Sequence, residues 1–405
     1  MIPQKFDVVI VGAGLAGTAL AVALGGSTLR VALIEAQPLS LQWPALSDDV
    51  SSFDARVSAL TLASQQWLQQ LGAWNLVAAQ RTAPYRHMQV WDGEGTGFIE
   101  FDAAEVNQPA LGHIVENRLL QVALLQSLSR QHNVQIFSST TVERYERDAH
   151  GMRVHLNNQA QLVTTLLVGA DGANSRVRDW AQFKLREWDY GHIAIVATVA
   201  TEQPHAATAR QIFRRQGPLA FLPLRTNTPG QHLSSIVWST LPEEAEALMQ
   251  LDDAEFMQTL GRAFEHRLGA ITATSTRFSF PLRARHASDY VQPNIALIGD
   301  AAHTIHPLAG QGINLGFLDA QALAQEVLRA AQRGLSVADE SVLSRYQRSR
   351  KTDNLAMLAV MEGFKRLFGA RQLPLRWLRN SGLKWVNRSA VLKRILIRQA
   401  MGAAP

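Results

Sequence analysis

A chain of 405 residues, 47% hydrophobic and 18% charged, has the material for a large core and more than one sub-domain, which excludes extended disorder. It contains no cysteine, so disulfides, thiolate metal ligands, a cysteine nucleophile and a cysteinyl cofactor link are all ruled out, and a reducing compartment fits. The net charge of +5 is uneven: residues 363–405 carry ten Lys/Arg and no Asp/Glu, which leaves a net −5 on the first 362.

The chain opens on MIPQKFDVVIVGAG, which goes straight into a strand and a glycine loop without the basic region and cleavage site of a signal peptide. No run of 18 apolar residues appears, so the expectation is a cytoplasmic protein, at most peripheral on the inner face of a membrane. DVVIVG (7–12) reads as a buried strand, LAGTALAVALGG as a helix and RVALIE (30–35) as a second parallel strand, which together make a βαβ unit. VQIF (134–137), LLVGADG (166–172) and IALIGD (295–300) read as further strands of that layer. Segments 86–93, 97–102, 192–201, 210–215, 220–224 and 233–240 are rich in β-branched and aromatic residues and predict an antiparallel sheet inserted into the parallel one. PGQ (229–231) and NNQ (157–159) read as hairpin turns, and the chain from about residue 336 is helical in pattern.

Three loops carry chemistry. GAGLAG places Gly12, Gly14 and Gly17 between strand and helix, where they permit a tight turn, backbone approach to a pyrophosphate and helix-on-strand packing. The second strand ends in Glu35, 18 residues past Gly17, where a carboxylate can accept from an adenosine ribose. In GADGANSRVR (169–178) Asp171 follows an apolar strand, an arrangement that is either a ligand loop or an ordinary Asp-Gly turn. GDAAHTIHPLAGQGINLG (299–316) puts Asp300 at the carboxyl edge of the sheet and opens a helix at Gly310 and Gly312, whose free N–H groups favour negative charge. His303 and His306 are three apart, but no third ligand is near and Pro307 disfavours a regular helix, so no metal site is expected.

In order and spacing these loops resemble the FAD-dependent aromatic hydroxylases, the flavoprotein monooxygenases of the p-hydroxybenzoate hydroxylase type, over essentially the whole chain. HIVEN (113–117), DARVSAL (54–60), AFLPL (220–224), YVQPNIALIGDAAHTIHPLAGQGINLGF (290–317) and the ending LIRQAMG resemble, more narrowly, the polyprenylphenol hydroxylases of ubiquinone biosynthesis. WDYGHIAIVAT, VWSTLPEEA and FEHRLG look like the branch acting at ring carbon 5, whereas VQPNIALIGD and PLRWLRNSGL look like the branch acting at carbon 6. The resemblance implies an α/β chain in three parts. A Rossmann-like FAD-binding domain with a parallel sheet would take 1–75, 103–180 and 285–335. A mixed or antiparallel substrate domain would take 76–102 and 181–284, and a helical C-terminal region 336–405.

It further implies that Gly12, Gly14, Gly17 and Glu35 hold the ADP half of FAD, that Arg56 meets its phosphate or ribose region, and that Asp171 supports both flavin and transient NAD(P)H. Asp300 would take the ribityl hydroxyls, and the backbone from Pro307 through Gly310, Gly312 and Ile313 to Asn314 would line the flavin ring. Many relatives carry Arg or Gln where Asn117 stands, with Arg118 the neighbouring alternative. The implied reaction consumes NAD(P)H and O2 and adds one oxygen atom to an electron-rich phenol, most simply at carbon 5 of a polyprenylphenol. Two alternatives remain: a related flavoprotein hydroxylase or reductase with another lipophilic substrate, and a non-catalytic member of a biosynthetic assembly.

No acid–base residue for the phenol is obvious; His303, His306 and Tyr190 are the candidates, with His306 before Pro307 in the flavin-facing loop placed for a direct substrate contact, against a loop-fixing role for His306 and core packing for Tyr190. His303 is expected to stand behind Asp300. Phe213, Phe221, Leu222, Pro223 and Trp238 could wall an apolar substrate channel, or form the core of the inserted sheet. The basic, apolar C-terminal segment 363–405, with Leu375, Leu378, Leu383 and Trp385 as a candidate apolar face, suits anionic lipid, partner enzymes of the pathway, a homo-oligomer or plain packing. No nucleic-acid module is recognisable.

Overall fold

The computed structural model describes residues 3–148, 151–304, 312–369, 387 and 389–402. Strand Gln4–Val11 lies inside a parallel sheet, which is why Val8 to Val11 are buried as an unbroken apolar run. The sheet runs Val291–Gln292, Ile295–Leu297, Gln161–Gly169, Gln4–Val11, Val31–Ile34, Val134–Phe137, with an antiparallel hairpin, Val142–Asp148 and Gly151–Leu156, added beside Gln161–Gly169. Register sets the functional geometry. Val11 pairs with Gly169 and Ile34, Ile34 with Phe137, and Gly169 with Leu297, so the carboxyl ends of five strands lie in one row. The loops that follow them therefore meet along one sheet edge, although they are separated by up to nearly three hundred residues. Helices Leu15–Leu24, Asn117–Leu128 and Gly312–Gln332 bury their apolar residues against this layer, with the Trp67 and Phe317 rings 5.6 Å apart.

The second sheet has nine strands, in the order His303–Thr304, Phe278–Ala287, Leu185–Thr201, Leu233–Thr240, Gly217–Pro223, Thr208–Arg214, His87–Asp92, Phe98–Asp102, with Ile271–Thr274 beside Leu185–Thr201. It is mixed: Thr208–Arg214 and His87–Asp92 pair in parallel and the other neighbours are antiparallel. The run at 192–201 is the second half of a 17-residue strand that bulges between Asp189 and His192, where Gly191 takes a φ of +64°. One face of this sheet packs on helices Pro242–Gln250 and Asp253–Ala263 and the other looks toward the first sheet.

A third, three-stranded sheet (Val57–Thr61, Gly112–Glu116, Ala83–Tyr85) was not anticipated from the sequence, because DARVSAL and HIVEN are too short to show alternation by themselves. The C-terminal region is helical over Glu340–Gly369 and Ala390–Ala400. The latter helix docks through Ile397 and, just beyond its end, Met401 onto Ala103 and Leu111, and through a 2.5 Å Lys393–Glu105 pair. Among the described residues no helix is long and apolar enough to cross a membrane.

Candidate active site

The aligned strand ends open into a cleft of about 1020 Å³ that continues under the second sheet. At its first end the chain turns at Gly12, whose φ is +101° and where a Cβ would lie 2.4 Å from the Ala170 carbonyl oxygen; at Gly17 a Cβ would lie 2.0 Å from the Gly12 oxygen. Neither position accepts a side chain, so the helix N-terminus sits close against the strand and Gly14 faces open space in the cleft. Glu35 braces this turn: its Oε2 accepts from the Ala13 N–H at 2.8 Å and its Oε1 from the Gln37 N–H at 2.9 Å. Each oxygen keeps a second lone pair for a ribose hydroxyl. Gln121 adds a brace that sequence reading missed, its Nε2 donating to Ala13 O at 2.8 Å and Thr18 Oγ1 at 3.1 Å. It stands one helical turn after Asn117, which was the available signal.

Arg56, Asn117 and Arg118 all line the cleft. Ser58 Oγ donates to Asn117 Oδ1 at 2.6 Å, and the Asn117 N–H donates to Arg56 O at 2.9 Å, so the third sheet fixes both residues. Arg118 is tied to the buried Glu116, with which Arg81 also pairs at 2.9 Å. Asp171 accepts from the Arg176 and Val177 N–H groups at 2.8 and 3.2 Å through Oδ2, whereas its Oδ1 is buried with no partner among the described residues. Burial pushes this carboxyl above its ordinary range, against hydrogen bonds from Ser175, Val177 and Arg176. Asp300 is exposed to the cleft but enclosed by protein on its other sides. That enclosure pushes its carboxyl up as well, and the charges of His303 and Arg56 pull it back.

The sequence-predicted residues divide by strand face. Leu222 lines the cleft, together with Gln211, Pro218, Ala220, Ser235, Val237, Ser239, Val196 and Leu282, residues that the sequence reading passed over. Cross-strand pairing puts Gln211, Ala220, Val237 and Val196 in one row of that face. Phe221 and Trp238 alternate with these and point the other way, into the helices, each 1% exposed; the Phe221 ring stacks on Phe264 at 3.8 Å. The channel-wall assignment of these two aromatics is thus corrected: large rings went to the helix-packed face, and smaller residues face the cleft. Pro223 is buried on the same side as Phe221, and Phe213 is half-buried outside the cleft lining. Tyr190 is also off the cleft, buried at the bulge with Ala194, Leu282 and Ala284.

Gly312 and Ile313 line the cleft, but the side chain of Asn314 does not. It is buried, accepting from Thr61 N–H and Ser64 Oγ and donating to Ala59 O. A residue expected beside a flavin instead clamps the third sheet to the helix. His306, Pro307 and Gly310 lie outside the described residues, as do Leu375, Leu378, Leu383 and Trp385. His303 is buried behind the Asp300 turn, its Nε2 2.5 Å from Asp319 Oδ2.

The residues present suit a dinucleotide. A cradle at Gly14 is open, a buried Asp171 oxygen lacks a donor among the described residues, and the Asp300 carboxylate faces a long cleft whose far end is apolar. Residues 5–360 match the family model described as FAD binding domain. The chain is 38% identical over 403 residues to the 3-demethoxyubiquinol 3-hydroxylase of Escherichia coli (strain K12), covering 99% of this chain and 100% of the relative. It is 33% identical to the human protein "Ubiquinone biosynthesis monooxygenase COQ6, mitochondrial", covering 96% and 91%. Its fold superposes with a TM-score of 0.77 on the crystal structure of pqsL, "a probable FAD-dependent monooxygenase from Pseudomonas aeruginosa", at 25% identity, covering 94% of this chain and 100% of the other.

Proposed function

This chain belongs to the FAD binding domain family as an FAD-dependent monooxygenase, and from that premise we propose that it hydroxylates the ring of a polyprenylated phenol in ubiquinone biosynthesis. FAD is the cofactor and NAD(P)H the reductant. Bound FAD supplies the activation of O2, while the protein binds, orients and excludes water.

In this reading Gly12, Gly14, Gly17 and Glu35 hold the ADP half, with Arg56 and Asn117 beside the phosphates. Asp171 offers its unpartnered Oδ1, and Asp300 receives the ribityl hydroxyls. The helix start at Gly312 and Ile313 lines the cleft, and its backbone N–H groups and positive dipole end would favour negative charge on a flavin ring bound there. The row Ala220, Val237 and Val196 gives the substrate ring an apolar, dry floor, and Gln211, Ser235 and Ser239 supply its polar contacts. Ser239 Oγ is buried with no partner among the described residues, so a ring oxygen would satisfy it. This cleft face, small and apolar with a few polar groups, is the observation that carries the reading beyond family membership.

The sequence favours oxygen insertion at ring carbon 5. The 38% identity to a hydroxylase named for position 3 of demethoxyubiquinol supports a second reading, in which demethoxyubiquinol is the substrate. Deleting the gene and identifying the accumulated intermediate by mass spectrometry decides: an intermediate lacking the carbon 5 oxygen supports the first, demethoxyubiquinol the second. Unaltered ubiquinone with no intermediate removes the pathway assignment.

A lipid-dissolved substrate also fits the C-terminal helix, which we place on an anionic membrane. Val391, Arg394, Ile395 and Arg398 are exposed along one stripe, with Leu396 beside it, while Ile397 holds the helix to the body. Sedimentation with phosphatidylglycerol vesicles should drop for Ile395→Asp; equal sedimentation of both proteins removes this placement.

A further inference from the structure

Behind the Asp300 turn lies a fully buried carboxylate that neither the cofactor nor the substrate reading uses. Asp319, 0% exposed on helix Gly312–Gln332, has each oxygen committed to a different part of the chain. Oδ2 accepts from the Gly299 N–H at 3.1 Å and meets His303 Nε2 at 2.5 Å, so it grips the residues just before and three after Asp300. Oδ1 accepts from Arg350 Nε at 2.9 Å and Asn354 Nδ2 at 3.2 Å, both from the buried side of helix Glu340–Gly369. Asn354 also accepts from Arg350 Nη2 at 2.9 Å and donates to Tyr290 Oη at 3.2 Å, and Tyr290 is hydrogen-bonded to His286 Nε2 at 3.0 Å.

We propose that Asp319 is a positioning residue for FAD: it fixes the Gly299–Asp300 turn against Arg350 and Asn354, which makes helix Glu340–Gly369 part of the cofactor site. The far side of the turn is held separately, the Ala287 N–H donating to Ala302 O at 2.8 Å and Arg178 Nη1 to Ala301 O at 3.3 Å, but among the described residues Asp319 is the side chain that holds the Gly299 N–H. Gly299 holds a φ of +59°, and a short 3-10 turn, Gly299–Ala301, delivers Asp300 into the cleft. Without the bond to Asp319 the Gly299–Asp300 peptide is free to turn, even though the strand pairing of His303 with His286 remains, and it takes Asp300 away from the ribityl chain. Packing alone does not require an ionic cluster here, since well-packed apolar residues are often as stable as a buried ion pair. A carboxylate bonded on both sides does what an apolar residue cannot, which is to set the angle of two backbone segments through directional hydrogen bonds.

The test is FAD titration of stripped apoprotein, with the visible circular dichroism and midpoint potential of the bound flavin recorded alongside. Asp319→Asn keeps the shape but replaces one of the two acceptor oxygens with an NH2 donor, and should weaken FAD affinity about tenfold, the order of effect that loss of an outer hydrogen-bond partner has on metal-ligating residues, with an altered flavin signal. Asn354→Leu removes one bond to Oδ1 and should weaken it less, in the same direction. A purely structural role would lower the melting temperature while the folded fraction bound FAD normally. Folded variants with affinity within twofold of wild type and an unchanged flavin spectrum overturn the proposal. If Asp319→Asn does not fold, Asn354→Leu decides by the same criterion. FAD binding needs no substrate, so failure here leaves the ring-hydroxylase reading untouched, and the reverse holds too.

Discussion

The Thr61 N–H donates to Asn314 Oδ1 at 3.0 Å, across 253 residues of chain. This bond joins the strand that follows Arg56 to the helix that opens at Gly312, so one amide sets the spacing between two walls of the cleft. Asn314 also accepts from Ser64 Oγ and donates to Ala59 O, both at 2.8 Å, and all of its neighbours there are buried. Replacing it with Ala strands three buried partners and should cost on the order of 3 kcal/mol. Chemical denaturation of the apoprotein checks this; a loss below about 1 kcal/mol would mean that water or a neighbour takes over the bonds.

Phe221 and Trp238 belong to the core, not to the substrate wall. Phe221→Ala is expected to lower stability by about 3–5 kcal/mol while KM for substrate in the surviving enzyme stays within about twofold. A rise in KM without a fall in melting temperature would return these rings to the channel.

Ala220 faces the cleft between Gln211 and Val237, so a larger side chain there occupies the substrate's place. Ala220→Phe should leave FAD content and absorbance at wild-type level while substrate-stimulated NAD(P)H oxidation falls at least tenfold, on the order of a 1.4 kcal/mol loss of transition-state binding. Unchanged turnover in steady-state assays would move the substrate elsewhere.

At the glycine turn, Gly17→Ala forces a Cβ to within 2.0 Å of the Gly12 oxygen, which the backbone cannot accommodate in place. Purified Gly17→Ala should therefore be colourless or nearly so, with FAD restored only at high excess. A fully yellow protein would show that the turn relaxes.

Acid should destabilise the protein early. Burial holds His113 down at about 4, and burial with the nearby charges of His303, Lys351 and Arg186 does the same for His286. Their folded pKa values lie below the ordinary 6.5, so the unfolded chain binds more protons between about 6.5 and 4. The stability they contribute is complete above pH 6.5 and is lost as pH falls through that window, on the order of 1–2 kcal/mol per histidine from pH 7 to 5. Asp319 adds to the same trend at lower pH: burial opposes its charge, but His303 and Arg350 hold its carboxyl below the usual range. Melting temperatures across pH 7 to 5 should fall, and less steeply in His286→Gln; a flat wild-type profile would contradict neutral burial.

The βαβ opening, the three glycine and aspartate loops and an inserted β-rich sheet were legible in the sequence, though the one parallel pair that makes that sheet mixed was not, because what is legible is local pattern: glycines where backbone must turn or approach, apolar runs where strands are buried. The sequence also carried the family, through motifs spread along the whole chain. What tertiary structure alone decided is which loops meet and which way side chains face. Register brings Glu35, Asp171 and Asp300 to one edge, and no local signal encodes register between strands over a hundred residues apart. Strand alternation says that Phe221 and Ala220 face opposite ways, but only the helices packed on one side settle which way is cleft. The same holds for Asn314 and Asp319, polar residues in a helix whose roles come from partners hundreds of residues away or on another helix, chosen because a buried polar group must find its hydrogen bonds somewhere.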